Sequence, residues 1–524
     1  MKKSIYILLF ALLSVGACDD GFEELNVNPT KPNQVAASNK LTSVMKFISS
    51  ERYDNWRAGM IYQSTMMQHV ATTAGYWSGD KYTWNKGYAS SLLDRYYENA
   101  IKTIVDLQVQ LDEEEAPEEM KSIVRILRVF AFSRITDLYG DVPYSEAGKA
   151  VLDEIFLPKY DAQSEIYPDL LNELEEAAAA LGTGTSGFGA ADVIYNGDQT
   201  KWKKLANSLM LRLGLRLVKV DPTASQAWVT KAIAGGVMTS NEDIFYLTHD
   251  VNNKNGLGEV FTADSNPRMS DTFINLLQDN NDPRLTVLAS LPAEKIIFKE
   301  DLPDNPGTYV EDFREDRTVA ERLDFDSQRG LANGNDNEML NDQNVDLDNL
   351  FSNLNDYSEP NRLLVTSETS PMIFQTYAEV EFMLAEANVR WGLAGDAATH
   401  YNNGVTAAMK QLSLYGDAGI ISDSDITDYL TANPYDANNA IEQINTQYWV
   451  ATFLNEYETF SNWRRTGFPV LTPVNYPGNV TNGTIPRRLT YSESEQSNNP
   501  DNYAAAIAAQ GPDVLTTRVW WDVE

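Results

Sequence analysis

The chain is 524 residues long and carries 75 acidic against 41 basic residues, a formal net charge of −34. Such a surface repels phosphate backbones and anionic headgroups, which excludes nucleic acid as a partner; 43% hydrophobic and 10% aromatic residues exclude a disordered acidic chain. The length suffices to bury a large core without cross-links, and the single cysteine leaves no disulfide to form.

In chain order, Met1–Lys2–Lys3 is basic, Ile5–Val15 is apolar, and Gly16–Ala17–Cys18 follows. This order predicts a secretory signal over residues 1–17. The apolar run is too short for a permanent span, and beyond residue 17 no run approaches the ~18 apolar residues that one needs. Val15–Gly16–Ala17–Cys18 resembles the bacterial lipobox, so Cys18 is the expected lipidation site and the first residue of the mature chain. Acyl chains contribute about 0.8 kcal/mol per buried CH₂, and two or more anchor a protein stably. With its only thiol at the processing site, the mature domain has no cysteine nucleophile. Asp19–Asp20 resembles the surface-export signal of one group of Gram-negative bacteria; a solvated linker accounts for the pair equally well. Residues 18–35 read as a flexible tether, broken by Asn28–Pro29–Thr30–Lys31–Pro32–Asn33, and residues 36–524 as a single domain.

Apolar residues then recur at three and four positions, the spacing of one helix face. Leu93, Tyr97, Ala100, Ile104, Leu107 and Leu111 form one stripe, Ala116–Pro117 breaks it, and Val124, Leu127, Ala131 and Leu138 form its partner. A second pair joins Ile166, Leu170, Leu174, Ala177 and Leu181 to Trp202, Leu205, Leu209, Leu213, Leu217 and Val220. A third runs Tyr377, Val380, Leu384, Ala387 and Trp391 up to Gly392, then Ala397, Tyr401, Val405, Ala408 and Leu412. Ala397-x3-Tyr401 is similar to the small-x3-aromatic core of a tetratricopeptide repeat, and Trp391 is expected to be a packing residue. The predicted fold is mainly α: tetratricopeptide-like hairpins carrying long irregular insertions with a few short strands. The largest insertion, Thr248–Ser370, is rich in Asp, Asn, Gly and Pro and predicts short strands and ligand-facing loops. Leu471–Glu524 also reads as irregular.

Catalytic signatures fail on context. Gly182-x-Gly184-x-x-Gly187 follows a helical stripe rather than a buried strand, which suits a helix-terminating loop and not a dinucleotide site. His69, His249 and His400 are far apart, no H-E-x-x-H or G-x-S-x-G is present, and no metal or cofactor is expected. Asp336, Glu338, Asp342, Asp346 and Asp348 lack the EF-hand spacing and its glycine, so they read as a solvated acidic loop. Tyr76, Trp77, Tyr82 and Trp84 are different. They sit among turn formers and fit neither a helix nor a strand stripe. Rings on a loop offer flat apolar faces with polar edges, the surface on which sugar C–H faces stack. The alternative is that they plug the core of the first hairpin. The binding reading makes Trp77 the best single residue and requires it to be more exposed than Trp391.

Several stretches together resemble the SusD/RagB family of outer-membrane nutrient-binding lipoproteins, in its second SusD-like subgroup. They are Phe22–Glu23–Glu24–Leu25–Asn26–Val27–Asn28–Pro29, Asp137–Leu138–Tyr139–Gly140–Asp141–Val142–Pro143–Tyr144, Asn281–Asp282–Pro283–Arg284, Asn462–Trp463–Arg464–Arg465–Thr466–Gly467–Phe468–Pro469, Ile485–Pro486–Arg487–Arg488–Leu489–Thr490–Tyr491 and Thr517–Arg518–Val519–Trp520–Trp521. The resemblance implies a non-catalytic protein, lipid-anchored in the outer membrane and exposed at the cell surface. It also implies an oligosaccharide ligand and a SusC-like TonB-dependent barrel as partner. A peptide ligand, or a surface glycosidase, is the alternative. Trp77 and its neighbours lie where relatives often place a stacking aromatic. Arg464, Arg465, Arg487 and Arg488 match family positions and are expected to form structural ion pairs.

Overall fold

The computed structural model describes residues 35–299, 310–339 and 354–524. The expected signal 1–17, Cys18 and the tether up to residue 34 lie outside them. No helix among the described residues is long and apolar enough to cross a membrane.

Where the apolar stripes repeat at three and four residues the chain is helical. Ten helices build the scaffold: α1 (Ala37–Ser49), α2 (Lys102–Glu113), α3 (Glu118–Tyr139), α4 (Gln163–Ala180) and α5 (Gln199–Arg216), then α6 (Pro222–Gly235), α7 (Tyr377–Trp391), α8 (Ala397–Lys410), α9 (Ala440–Ala451) and α10 (Glu456–Thr466). Each packs on the next through α5, α5 also meets α6 and α7, α7 meets α8 and α9, and α10 returns from α9 to α3. The predicted hairpins are α2–α3, α4–α5 and α7–α8; α1, α6, α9 and α10 extend the array beyond them. Gly182, Gly184 and Gly187 lie in the loop between α4 and α5, where the Gly182 amide donates to Gln199 Oε1 at 3.0 Å.

Local chemistry sets the ends of the α7–α8 hairpin. Thr376 Oγ1 accepts the Glu379 amide at 3.1 Å while Glu379 Oε1 accepts the Thr376 amide at 3.0 Å, a reciprocal cap. Gly392 closes α7 in the left-handed region (φ +68°), and Asp396 caps α8 through the Thr399 amide at 2.9 Å. A Cβ on Gly404 would stand 2.6 Å from the Phe382 ring, so the missing side chain is what lets the two helices approach. Trp391 is partly buried against the core.

Buried charges cross-brace the scaffold. Arg465 of α10 grips Glu386 of α7 with bonds of 2.5 and 2.7 Å, both side chains 1% exposed. Burial alone would raise the Glu386 pKa, but the guanidiniums of Arg465 and Arg390 hold it well below the usual range. Between α3, α5, α7 and α10, Arg212 and Arg216 meet three carboxylates, Asp137, Glu379 and Glu458. Burial pushes Glu379 up, while the two arginines hold Glu458 down. Arg487 pairs with Asp522 and Arg488 with Asp513, as the ion-pair reading expects. Arg464 differs. It donates to the carbonyls of Phe460 and Arg487 and lies 4.1 Å over the Phe460 ring, and burial lowers its pKa to about 9.

The strands are short and antiparallel. Phe245–Leu247 pairs with Met372–Gln375, closing the long insertion at its base. Inside it, Arg268–Met269 pairs with Val70–Ala71, and Ala289–Ser290 with Glu359–Pro360. The insertion also contains the helices Gly256–Ala263 and Asp271–Asp279. The C-terminal stretch is less irregular than its sequence suggests, since Glu493–Asn498 and Pro500–Gln510 are helical.

Candidate functional site

After α1 the chain runs through Arg52–Asp54 into Asn55–Ser64, which is wound as a π-helix, a form concentrated at functional sites. The aromatic loop closes over this segment. A Cβ on Gly79 would lie 2.4 Å from the Ile61 carbonyl oxygen, so only glycine permits the contact. Below it, buried Lys81 donates to Asp80 Oδ2 at 3.0 Å and to the Thr72 carbonyl at 2.8 Å. Asp80 also accepts Asn333 Nδ2 at 2.7 Å and the Gly334 amide at 3.1 Å. Burial raises the Asp80 pKa despite its lysine.

This stitching divides the four predicted rings. Trp77 and Tyr82 are interior, each 0% exposed, whereas Tyr76 is 39% and Trp84 50% exposed. The expectation that Trp77 is more open than Trp391 is therefore reversed. Trp77 Nε1 donates to Asp264 Oδ2 at 3.0 Å, and Tyr82 Oη accepts the Val474 amide at 3.2 Å. Segments near residues 264 and 474 cover both rings, so neither is an open stacking platform. Trp77 instead fixes Asp264, which takes the Tyr76 hydroxyl at 2.6 Å. Burial and that carboxylate push the Tyr76 pKa up to about 12. Trp84 Nε1 donates to Thr490 Oγ1 at 3.1 Å, leaving half its surface open.

The open rings are joined by others that the sequence reading missed. Trp56 meets Tyr76 edge-on, with centroids 6.3 Å apart and planes at 90°. Tyr53, 40% exposed, lies 6.4 Å from Trp56 at 29°. The Arg57 guanidinium sits 5.1 Å over Tyr53 and 5.4 Å over Tyr88, and Arg52 sits 4.8 Å over Tyr53. Their signal is the run Arg52–Tyr53–Asp54–Asn55–Trp56–Arg57, which places two rings three residues apart between two arginines. Beneath them, burial lifts the Asp54 pKa to about 7, with Arg95 opposing. Tyr53 also walls an open cleft of about 460 Å³. A cavity of about 30 Å³ beside Arg284 and Gln411 has room for a single water.

The histidines are held structurally. His69 Nδ1 lies 3.0 Å from Glu456, His249 bonds Ser49 and the Asn253 carbonyl, and His400 bonds Glu381 and the Ala394 carbonyl. Among the described residues no group of three or more His, Cys, Asp or Glu is placed to hold a metal ion. Of the acidic run, Asp336 accepts the Met339 amide and the Tyr476 hydroxyl, while Asp342, Asp346 and Asp348 lie outside the described residues.

Helical hairpins carrying a ring-lined irregular face define a binding protein of the outer-membrane, SusD-like class. Residues 29–492 match the second SusD-like family, described as starch-binding and associating with the outer membrane, and the chain belongs to that family. Among solved structures it is similar to a chitin-binding protein at 32% identity and TM-score 0.80, over 93% of this chain and all of that one. A SusD-like protein of Bacteroidetes follows at 26% and 0.76, over 94% of this chain and 100% of that one. A chitin-binding SusD homologue from Flavobacterium johnsoniae, at 22% and 0.74 over 93% and 99% of the two chains, shares the fold. The comparison with curated proteins finds no match.

Proposed function

We propose that this protein is a cell-surface lipoprotein that binds carbohydrate without catalysis and passes it to a SusC-like TonB-dependent barrel in the same membrane. In this reading residues 1–17 are the signal, acylated Cys18 anchors the tether 18–35, and residues 36–524 act as one binding domain. The observation that carries it is the strip of rings in which open Tyr53 and Tyr76 are bridged by half-buried Trp56 and flanked by Arg52 and Arg57. Sugars present C–H faces to such rings and hydroxyls to such cations. Trp84 is a further open ring for the same ligand. The likeness to a chitin-binding protein makes chitin oligosaccharides the first ligands to test.

Isothermal titration with chitin, starch and cellulose oligosaccharides and with a peptide panel tests the reading. At least one glycan series should bind, and Tyr53→Ala or Tyr76→Ala should weaken it about five- to tenfold, the equivalent of roughly 1 kcal/mol per ring. Binding of peptides but no glycan would overturn the ligand class. For the anchor, Cys18→Ala should abolish the lipid adduct seen by intact mass and release the protein from membranes. Retention of Cys18→Ala in the membrane would refute it.

A further inference from the structure

The cleft beyond Tyr53 contains a group that the fold leaves unused. Ser50, the residue after α1, is 7% exposed, and its Oγ has no hydrogen-bond partner among the described residues. Its backbone is fully engaged: the amide donates to the Phe47 carbonyl at 3.0 Å, and its own carbonyl accepts Asn55 Nδ2 at 3.2 Å. Only the hydroxyl remains, tucked under the wall of a cleft of about 460 Å³ that Ser50 helps to line. A buried hydroxyl is unfavourable until something bonds it, and the volume lies within the roughly 300–1,000 Å³ of small-ligand sites.

The walls are preformed. His249 Nε2 lies 2.9 Å from Ser49 Oγ at the end of α1, and its Nδ1 lies 2.9 Å from the Asn253 carbonyl. Burial lowers the His249 pKa, so the ring is a neutral clamp between helix and loop. That loop is tightened again by Asp250, whose Oδ1 accepts the amides of Asn252 and Asn253, both at 2.8 Å. A site that needs no ordering loses less on binding. Its rim carries both signs, with Lys46 and Arg52 set against Glu51 and Glu259. A charged ligand of either sign would meet like charge there, whereas a sugar hydroxyl both donates and accepts.

We infer that this cleft is a second carbohydrate subsite, continuous with the ring strip through Tyr53, where a bound glycan turns and sets a hydroxyl or acylamino group against Ser50. The inference rests on the carbohydrate reading above and adds a requirement of chain length.

Calorimetry with chitin and cellulose oligosaccharides of increasing length tests it on the full-length protein. For wild type, affinity should keep rising until the chain spans both the strip and the cleft. Asn252→Trp, which fills the mouth from an exposed position, should remove the gain of the longest oligomers, about tenfold, and change the shortest less than about twofold. Ser50→Ala should weaken only the long oligomers and leave the melting temperature at or above that of wild type, because it removes an unpaired buried hydroxyl, which guards against a folding defect in the first variant. The same length dependence in all three proteins would overturn the subsite while leaving the strip intact. Failure of wild type to bind either series would overturn the inference together with the reading beneath it.

Discussion

The scaffold and the ring-lined face use the same residue types for opposite ends. In the helical array arginine lies opposite carboxylate: Arg465 grips Glu386, and Arg212 and Arg216 share three acids. On the face, Arg52 and Arg57 lie over tyrosine rings. A paired, buried guanidinium has already spent its donors; one laid over a half-exposed ring still offers them. In a chain this acidic, a partly exposed arginine laid over an open ring marks a ligand surface, whereas buried Arg464 spends its donors on carbonyls instead.

The largest expected effect sharpens that contrast. Arg465→Ala leaves buried Glu386 with only the partly exposed Arg390 as its cation and should cost about 3 kcal/mol in urea unfolding. Arg57→Ala should stay within about 0.5 kcal/mol of wild type and act on glycan affinity instead. Equal losses of stability in the two variants would erase the distinction.

Trp77 belongs to the scaffold side despite its place in the aromatic loop. Trp77→Ala should destabilise by about 3–5 kcal/mol, and it should loosen Tyr76 by freeing Asp264. An unchanged melting temperature would return Trp77 to the ligand face.

Asp54, under the strip, gives a pH test. Its folded pKa, about 7, stands above the ordinary value of 3.8, so the native state holds the extra proton. The stabilisation is complete below about pH 4 and is lost as pH rises through 7. Asp54→Asn should therefore gain on wild type between pH 4 and 8, by at most roughly 4 kcal/mol. A constant difference across that range would show that Asp54 titrates normally.

The smallest effects come from two histidines with opposite slopes. His400 clips α8 to Glu381 and has a raised pKa, chiefly from that hydrogen bond. Its contribution is complete below its unfolded value near 6.5 and is lost as pH rises through the folded one. His249, depressed by burial, contributes above 6.5 and loses its contribution as pH falls through its folded value. Hydrogen exchange at pH 5.5 and 7.5 should find the α7–α8 hairpin better protected at the lower pH and the cleft loop at the higher. Parallel changes would break the comparison.

What the sequence disclosed follows the same division. The α7–α8 hairpin was legible because its determinants are local: Thr376 with Glu379, Gly392, Asp396, and stripes within one helix length. The face was not. Trp77 is buried by Asp264, 187 positions away, and Tyr82 by Val474, so no local spacing could separate them from exposed Tyr76 and Trp84. Tyr53 and Trp56 were visible as residues, but Tyr53 sits in a single short turn and Trp56 in the π-wound segment, which obeys no 3.6-residue period, so nothing in the stripe pattern singled them out. Asn281–Asp282–Pro283–Arg284 proved structural, a buried Arg284–Asp282 pair at 2.5 Å.

One small element has a long reach. The strand pair Phe245–Leu247 and Met372–Gln375 holds the two ends of the largest insertion side by side. Each doubling of a closed loop costs only about 0.6 kcal/mol more, so this clasp makes the length of what it encloses nearly irrelevant to the helices below. Between Leu247 and Met372 the stretches free of outside bonds can change length at little cost to the hairpins, while Asp264, Arg268 and Asn333 stay tied to Trp77, Ala71 and Asp80.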